Sequence, residues 1–189
     1  MAHATRMSTA DTALLVIDVQ EKLITKIPEY TALVRNIAFL LDAAKLLGVP
    51  SQATEQYPRG LGPTVPELAH YFKERPDKVG FSSCAVPAIV DSFQRGARTK
   101  IVLTGIETHV CVLNTALDLL AADFTVYLAV DAIGARYAID HDTALRRLEQ
   151  AGAILTTSEG CVFEWLGGSS HPQFKAVSQL VQERMKHLS

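Results

Sequence analysis

Apolar positions along this chain fall into two alternating rhythms. Ala13-Leu14-Leu15-Val16-Ile17 is an unbroken apolar run that ends at Asp18, the pattern of a strand covered on both faces. From Glu29 to Leu47 the rhythm changes. Leu33, Ile37, Leu40, Leu41, Ala44 and Leu47 recur at helical spacing, and Gly48 supplies a stop. A strand near Val49–Thr54 follows, then a short helix opened by Pro63 to Leu68, because proline is tolerated in a first turn. Pro87–Arg95 reads as a helix, Ile101–Ile106 as a strand, and Cys111–Leu120 as the next helix. Thr125–Val130, Ile139–Gln150 and Ala153–Thr157 continue as strand, helix and strand, and Pro172–Leu188 carries a last helical spacing. Repeated alternation of this kind predicts an α/β protein, with a parallel sheet between layers of helices.

Composition narrows the classes. A chain of 189 residues that is 48% hydrophobic has enough apolar material for one sizeable core. We expect a flexible N-terminus over residues 1–10 and a single domain over 11–189, since no linker or repeat divides the chain. The balance of 18 basic against 20 acidic residues, with no basic block, argues against nucleic acid and anionic membranes as partners. No stretch approaches the roughly 18 unbroken apolar residues of a membrane span. Residues 1–10 lack an apolar signal core, so the expected compartment is the cytoplasm. Their Ala/Ser/Thr-rich, acid-free character with a single Arg leaves a mitochondrial reading open. Three cysteines without close pairing suit a reducing compartment.

Candidate chemistry gathers at strand ends. Asp18 stands at the carboxyl end of a buried strand, where ligands bind in open α/β sheets. Cys111 lies where a strand runs into a helix start, and there backbone N–H groups and the helix dipole favour thiolate over thiol. Alone it is equally a buried structural cysteine. Lys78 lies in a short connection, and an acid, a cation and a thiol together form a chemically complete set. Gln20 would point to the side of Asp18 if the strand continued, as a substrate contact or as a structural hydrogen-bonder. Gln56, Tyr57 and Arg59 should approach the same rim, Tyr57 as an apolar wall and Arg59 as a carboxylate clamp or a loop-holding cation. Phe81 fits either a pocket wall or the core. His109 is two residues from Cys111 and cannot share its helical face. Cys161 and Cys84 read as packing thiols, and His141 as a helix-start residue.

Three segments, in order, resemble a known family. Leu15-Val16-Ile17-Asp18-Val19-Gln20, Lys78-Val79-Gly80-Phe81-Ser82 and Gly105-Ile106-Glu107-Thr108-His109-Val110-Cys111-Val112 are similar to the signature segments of the isochorismatase-like cysteine hydrolases. The stretch from Ala53 to Val65 is similar to the eukaryotic isochorismatase domain-containing subgroup, some of whose members carry a mitochondrion-associated ribonuclease label. The resemblance implies a three-layer α/β/α sandwich with a mostly parallel, doubly wound sheet and an Asp18, Lys78, Cys111 triad. It also implies a cis Ile106–Glu107 peptide that, with Val110, helps form the oxyanion site. The implied reaction is hydrolysis of a small-molecule amide or related C–N acyl bond through an acyl-enzyme. The region Thr54-Glu55-Gln56-Tyr57 lacks the Asp-x-His metal segment of nicotinamidases, so no metal and no cofactor are expected. Family members commonly assemble, which implies a homo-oligomer, a dimer or tetramer. A protein that keeps the triad but mainly binds a partner, and a ribonuclease, are the alternatives.

Overall fold

The structure, a computed structural model, describes residues 3–186. Met1 and Ala2 of the N-terminal segment, and Leu188 of the last helical pattern, lie outside the described residues. In chain order the elements are β1 (Thr12–Ile17), α1 (Glu21–Ile24), α2 (Tyr30–Leu47), β2 (Ser51–Gln56), α3 (Pro58–Leu61), α4 (Pro66–Ala69) and β3 (Asp77–Lys78). There follow α5 (Pro87–Arg95), β4 (Lys100–Ile106), α6 (Leu113–Ala121), β5 (Thr125–Gly134), α7 (Ala138–Gln150), β6 (Ile154–Thr156), α8 (Ser158–Leu166) and α9 (Phe174–Met185). A 3-10 turn, Ser83–Ala85, precedes α5, and a π-helical turn, Thr108–Val112, precedes α6.

The six strands form one sheet in the order β3-β2-β1-β4-β5-β6, and every pairing is parallel. Chain order runs outward from β1 in one direction and from β4 in the other, so the β1/β4 seam is the topological switch point of the sheet. Helices cover both faces, as an all-parallel sheet requires. The period of two along β1 divides its side chains between the layers. Leu14 and Val16 pack with α2 and α8, and Ala13, Leu15 and Ile17 pack with α5, α6 and α7.

Local chemistry explains most boundaries. Gly48 caps α2 in the left-handed conformation at φ 74°, and Pro87 opens α5 at a first-turn position. The last helix packs on the body through fully buried Val177 and the flanking Leu180 and Val181. Segment 1–10, expected to be flexible, is tied down where it is described. Met7 is buried, the Met7 N–H donates to Glu164 at 2.8 Å, Lys100 donates to the Arg6 carbonyl at 2.6 Å, and the Tyr127 hydroxyl donates to the Thr5 carbonyl. One apolar side chain and a few backbone acceptors suffice to anchor it.

Candidate active site

Asp18 follows the last residue of β1 and is fully buried. Its φ of 54° places a non-glycine residue in the left-handed region, which turns the chain sharply away from the sheet and is the kind of strain that clusters at functional sites. The seam beside it is tight. Gly105 on β4 pairs with Ile17, and a Cβ at Gly105 would lie 2.1 Å from the Ile17 carbonyl oxygen. Only a hydrogen fits there, so β4 can press against β1 immediately before the acid.

Lys78, expected in a loop connection, belongs instead to the two-residue strand β3, paired in register with Gln56. A strand so short has no period to read. Its ammonium reaches across β2 to Asp18 Oδ2 at 2.6 Å, with both side chains essentially buried. The same nitrogen donates to Gln56 Oε1 at 2.7 Å and to the Phe81 carbonyl at 2.9 Å. The Gly80 carbonyl lies at 3.4 Å, so four acceptors surround the three donors of the ammonium group.

Cys111 is 6% exposed and stands in the π-helical turn, one residue before the chain settles into α6, rather than at the start of an α-helix. The expectation of a resting thiolate is therefore corrected. Burial, followed by the Asp18 charge, pushes the Cys111 thiol up to about 12, against the opposing pull of Lys78. Both charges act on the sulfur, Asp18 raising and Lys78 lowering the thiol, so the three candidates are neighbours and the raised thiol stays neutral.

The hydroxyls that sequence reading missed complete the site. Thr54 Oγ1 donates to Asp18 Oδ1 at 2.9 Å and meets Ser83 Oγ at 3.1 Å. The Ser83 N–H donates to Thr115 Oγ1 at 2.9 Å, and that hydroxyl donates to the Cys111 carbonyl at 2.7 Å. All three are buried. A buried hydroxyl beside an ionised residue carries no sequence signature beyond its place at a strand end or helix start.

Other candidates fare differently. Gln20 is buried and structural: its amide donates to the carbonyls of Gln56, at 3.0 Å, and Gly62, at 2.7 Å, and accepts from the Gln56 N–H at 2.7 Å. Gln56 holds Lys78 on one side and the Val79 carbonyl, at 2.8 Å, on the other, so it braces the cation and presents no free polar group. Tyr57, at 54% exposure, and Phe81, at 57%, stand at the surface. Arg59 is also exposed and joins no ion pair among the described residues. The Ile106–Glu107 peptide is cis, and Glu107 pairs with Arg136 at 3.0 Å. The Val110 N–H donates to the Glu107 carbonyl at 3.0 Å, so Val110 does not offer a free donor to an oxyanion. His109 lies 3.7 Å from Asp140, and His141 Nδ1 meets Thr108 Oγ1 at 2.8 Å. Cys161 is buried in the α2 layer and its thiol is pushed up by desolvation. Among the described residues, no group of three His, Cys, Asp or Glu side chains is placed to hold a metal ion.

A doubly wound sheet with an acid, a cation and a thiol gathered beside its switch point narrows the class, and comparison with known proteins gives the family. The isochorismatase domain profile matches residues 12–160, and the chain belongs to the isochorismatase-like hydrolase family. It is 42% identical over 179 residues to isochorismatase domain-containing protein 2 of Bos taurus, covering 94% of this chain and 86% of the bovine protein. Among solved structures it is similar to MAR1 ribonuclease from Caenorhabditis elegans, with a TM-score of 0.89 and 42% identity across 94% of this chain and 93% of that one. The YcaC gene product of Escherichia coli, described as an octameric hydrolase of unknown specificity, gives a TM-score of 0.90 at 26% identity, covering 98% of this chain and 94% of that one.

Proposed function

We propose that this protein is a cysteine hydrolase that cleaves the C–N acyl bond of a small amide through an acyl-enzyme on Cys111, without a metal. The observation that carries the reading is the buried Lys78–Asp18 pair at 2.6 Å, whose two charges both act on the Cys111 thiol. Because the resting sulfur is a thiol, deprotonation must accompany attack. Asp18 takes the thiol proton as the sulfur–carbon bond forms, and the oxyanion turns to backbone N–H groups of the Glu107–Cys111 turn other than that of Val110. Protonated Asp18 gives its proton to the nitrogen as the C–N bond breaks and the amine leaves. Water then attacks the thioester, with Asp18 accepting its proton and returning it to sulfur as the carboxylic acid departs. Lys78 pairs with the Asp18 carboxylate between steps.

Tyr57, Phe81 and Arg59 form the exposed rim through which substrate enters. Exposed Val79, Tyr137 and Ile139 lie on the segments that precede Phe81 and open α7, and α7 packs on the Cys111 turn. With the octameric E. coli relative, this apolar display supports self-association around the site, as a dimer or tetramer.

The test is amine release from a panel of small primary amides and ureas, with an acyl adduct on Cys111 trapped by rapid quenching and mass spectrometry. Wild type should release amine and Cys111→Ala should not. Release that survives Cys111→Ala would overturn the proposal. A labelled RNA run beside the amides separates this chemistry from the activity in the C. elegans protein's name. The balance of 18 basic and 20 acidic residues gives no surplus of cations to neutralise a phosphate backbone.

A further inference from the structure

We infer that Thr54 and Ser83 are positioning residues that aim Asp18 for proton transfer, an inference that rests on the proposed role of Asp18 as base and acid. The argument turns on the direction of each hydrogen bond. Thr54 has one hydroxyl proton, and it is given to Asp18 Oδ1 at 2.9 Å. The contact with Ser83 Oγ at 3.1 Å therefore has Ser83 as donor and Thr54 as acceptor. Reversing the pair so that Asp18 donated to Thr54 would turn the Ser83 hydroxyl into an acceptor, and no other acceptor for its proton is seen among the hydrogen bonds of Ser83. The chain of hydroxyls is thus one-way and ends on Oδ1.

The other carboxylate oxygen is held as firmly, because Lys78 donates to Oδ2 at 2.6 Å. Donors on both oxygens fix the plane of the carboxylate, whose charge acts on the neighbouring thiol. Ser83 also reaches the nucleophile. Its N–H holds the Thr115 hydroxyl, and that hydroxyl holds the Cys111 carbonyl. The 3-10 turn that carries Ser83 therefore ties the acid and the Cys111 backbone to one point, and Asp18, Thr54, Ser83 and Thr115 are all at most 1% exposed. Water cannot replace a lost partner there at low cost.

Two small probes read proton transfer separately from attack. Sulfur displaces iodide from iodoacetamide: a carbon–sulfur bond forms, iodide leaves with the electron pair, and the thiol proton goes to solvent. Acrylamide is added across: sulfur bonds to the terminal alkene carbon, and a proton must be delivered to the carbon beside the carbonyl. The ratio of acrylamide to iodoacetamide labelling at Cys111, followed by peptide mass spectrometry, therefore reports proton return by Asp18. Labelling of Cys84 and Cys161 in the same digests shows whether the fold is intact.

Asp18→Asn should lower the ratio about a hundredfold. Thr54→Val should lower it about tenfold, Thr54→Ser should restore it, and Ser83→Ala should lower it less than Thr54→Val. Thr54→Val/Ser83→Ala, which strands no hydroxyl, should regain thermal stability yet keep the low ratio. A wild-type ratio in Thr54→Val, beside a lowered one in Asp18→Asn, would overturn the positioning role alone. An unchanged ratio in Asp18→Asn would overturn the acid–base reading and this inference with it.

Discussion

Gly105→Ala is the substitution that most directly tests how the seam positions the acid. At φ +111°, Gly105 already occupies backbone space that L side chains rarely adopt, and an alanine Cβ would sit 2.1 Å from the Ile17 carbonyl oxygen and 2.7 Å from the Ile17 nitrogen. Both neighbours are backbone, so no side chain can swing aside. Restoring ordinary contact requires β1 and β4 to part by about 1.4 Å, because close-packed carbon and oxygen atoms rest near 3.5 Å. Gly152 supplies the control. It also has positive φ, +104°, but nothing lies within 4 Å of its Cβ position. Gly152→Ala should therefore show the conformational penalty alone, about 1–3 kcal/mol. Gly105→Ala should show that penalty plus the separation of two central strands, for a total of about 4 kcal/mol or more. Urea denaturation of the two variants measures the difference. Since Ile17 immediately precedes Asp18, a displacement of that size should also reduce Cys111-dependent turnover about a hundredfold. If Gly105→Ala were no less stable than Gly152→Ala, the tight seam and its role in placing Asp18 would both be refuted.

Two further outcomes follow from the charges at the site. The Cys111 thiol is pushed up to about 12 by burial and then by Asp18; its thiolate is scarce at neutral pH, and iodoacetamide labelling should rise about tenfold per pH unit through the alkaline range. Asp18→Asn removes a charge that raises this value and leaves Lys78, which lowers it, so the labelling midpoint should move to lower pH even as turnover is lost; a midpoint that moved up would reverse the sign of the argument. Lys78→Met leaves a fully buried carboxylate without its cation and should destabilise the fold by about 3–5 kcal/mol at neutral pH. Part of that loss should return when Asp18→Asn is added, and denaturation of the single and double variants checks it.

The parts of this molecule that were legible in its sequence are those with a period. The β1 run, the α2 stripe with its Gly48 cap, and α5 from Pro87 to Arg95 follow from apolar spacing and helix punctuation, because burial on one or two faces imposes those spacings. Asp18 and Cys111 were legible as site candidates because each ends or follows an apolar strand. Lys78 was legible as chemistry but not as structure, since two residues of β3 show no alternation. The π-helical turn at Cys111 was read as α-helix, and that error carried the thiolate expectation with it. The roles of Gln20 and Gln56 were not legible because a glutamine that braces backbone carbonyls has the same sequence context as one that greets a substrate. Thr54, Ser83 and Thr115 come from three separate elements, and only the fold makes them neighbours.

The buried ion pair clarifies what this site is built to do. Desolvating Asp18 and Lys78 together is a weak route to stability, since apolar residues of similar volume commonly fold as well or better. The hydrogen-bond inventory shows where the arrangement is directed instead. Lys78 donates to Asp18, Gln56 and the Phe81 carbonyl, with the Gly80 carbonyl at 3.4 Å, so its ammonium is engaged by oxygens of the protein itself. Its charge acts on the groups beside it. It lowers the thiol against the combined pull of burial and the Asp18 carboxylate. In the proposed reaction one proton passes between the Asp18 carboxylate and the Cys111 sulfur. A site arranged so is suited to move that proton forward on attack and back on departure, which is the requirement of acyl transfer to a thiol.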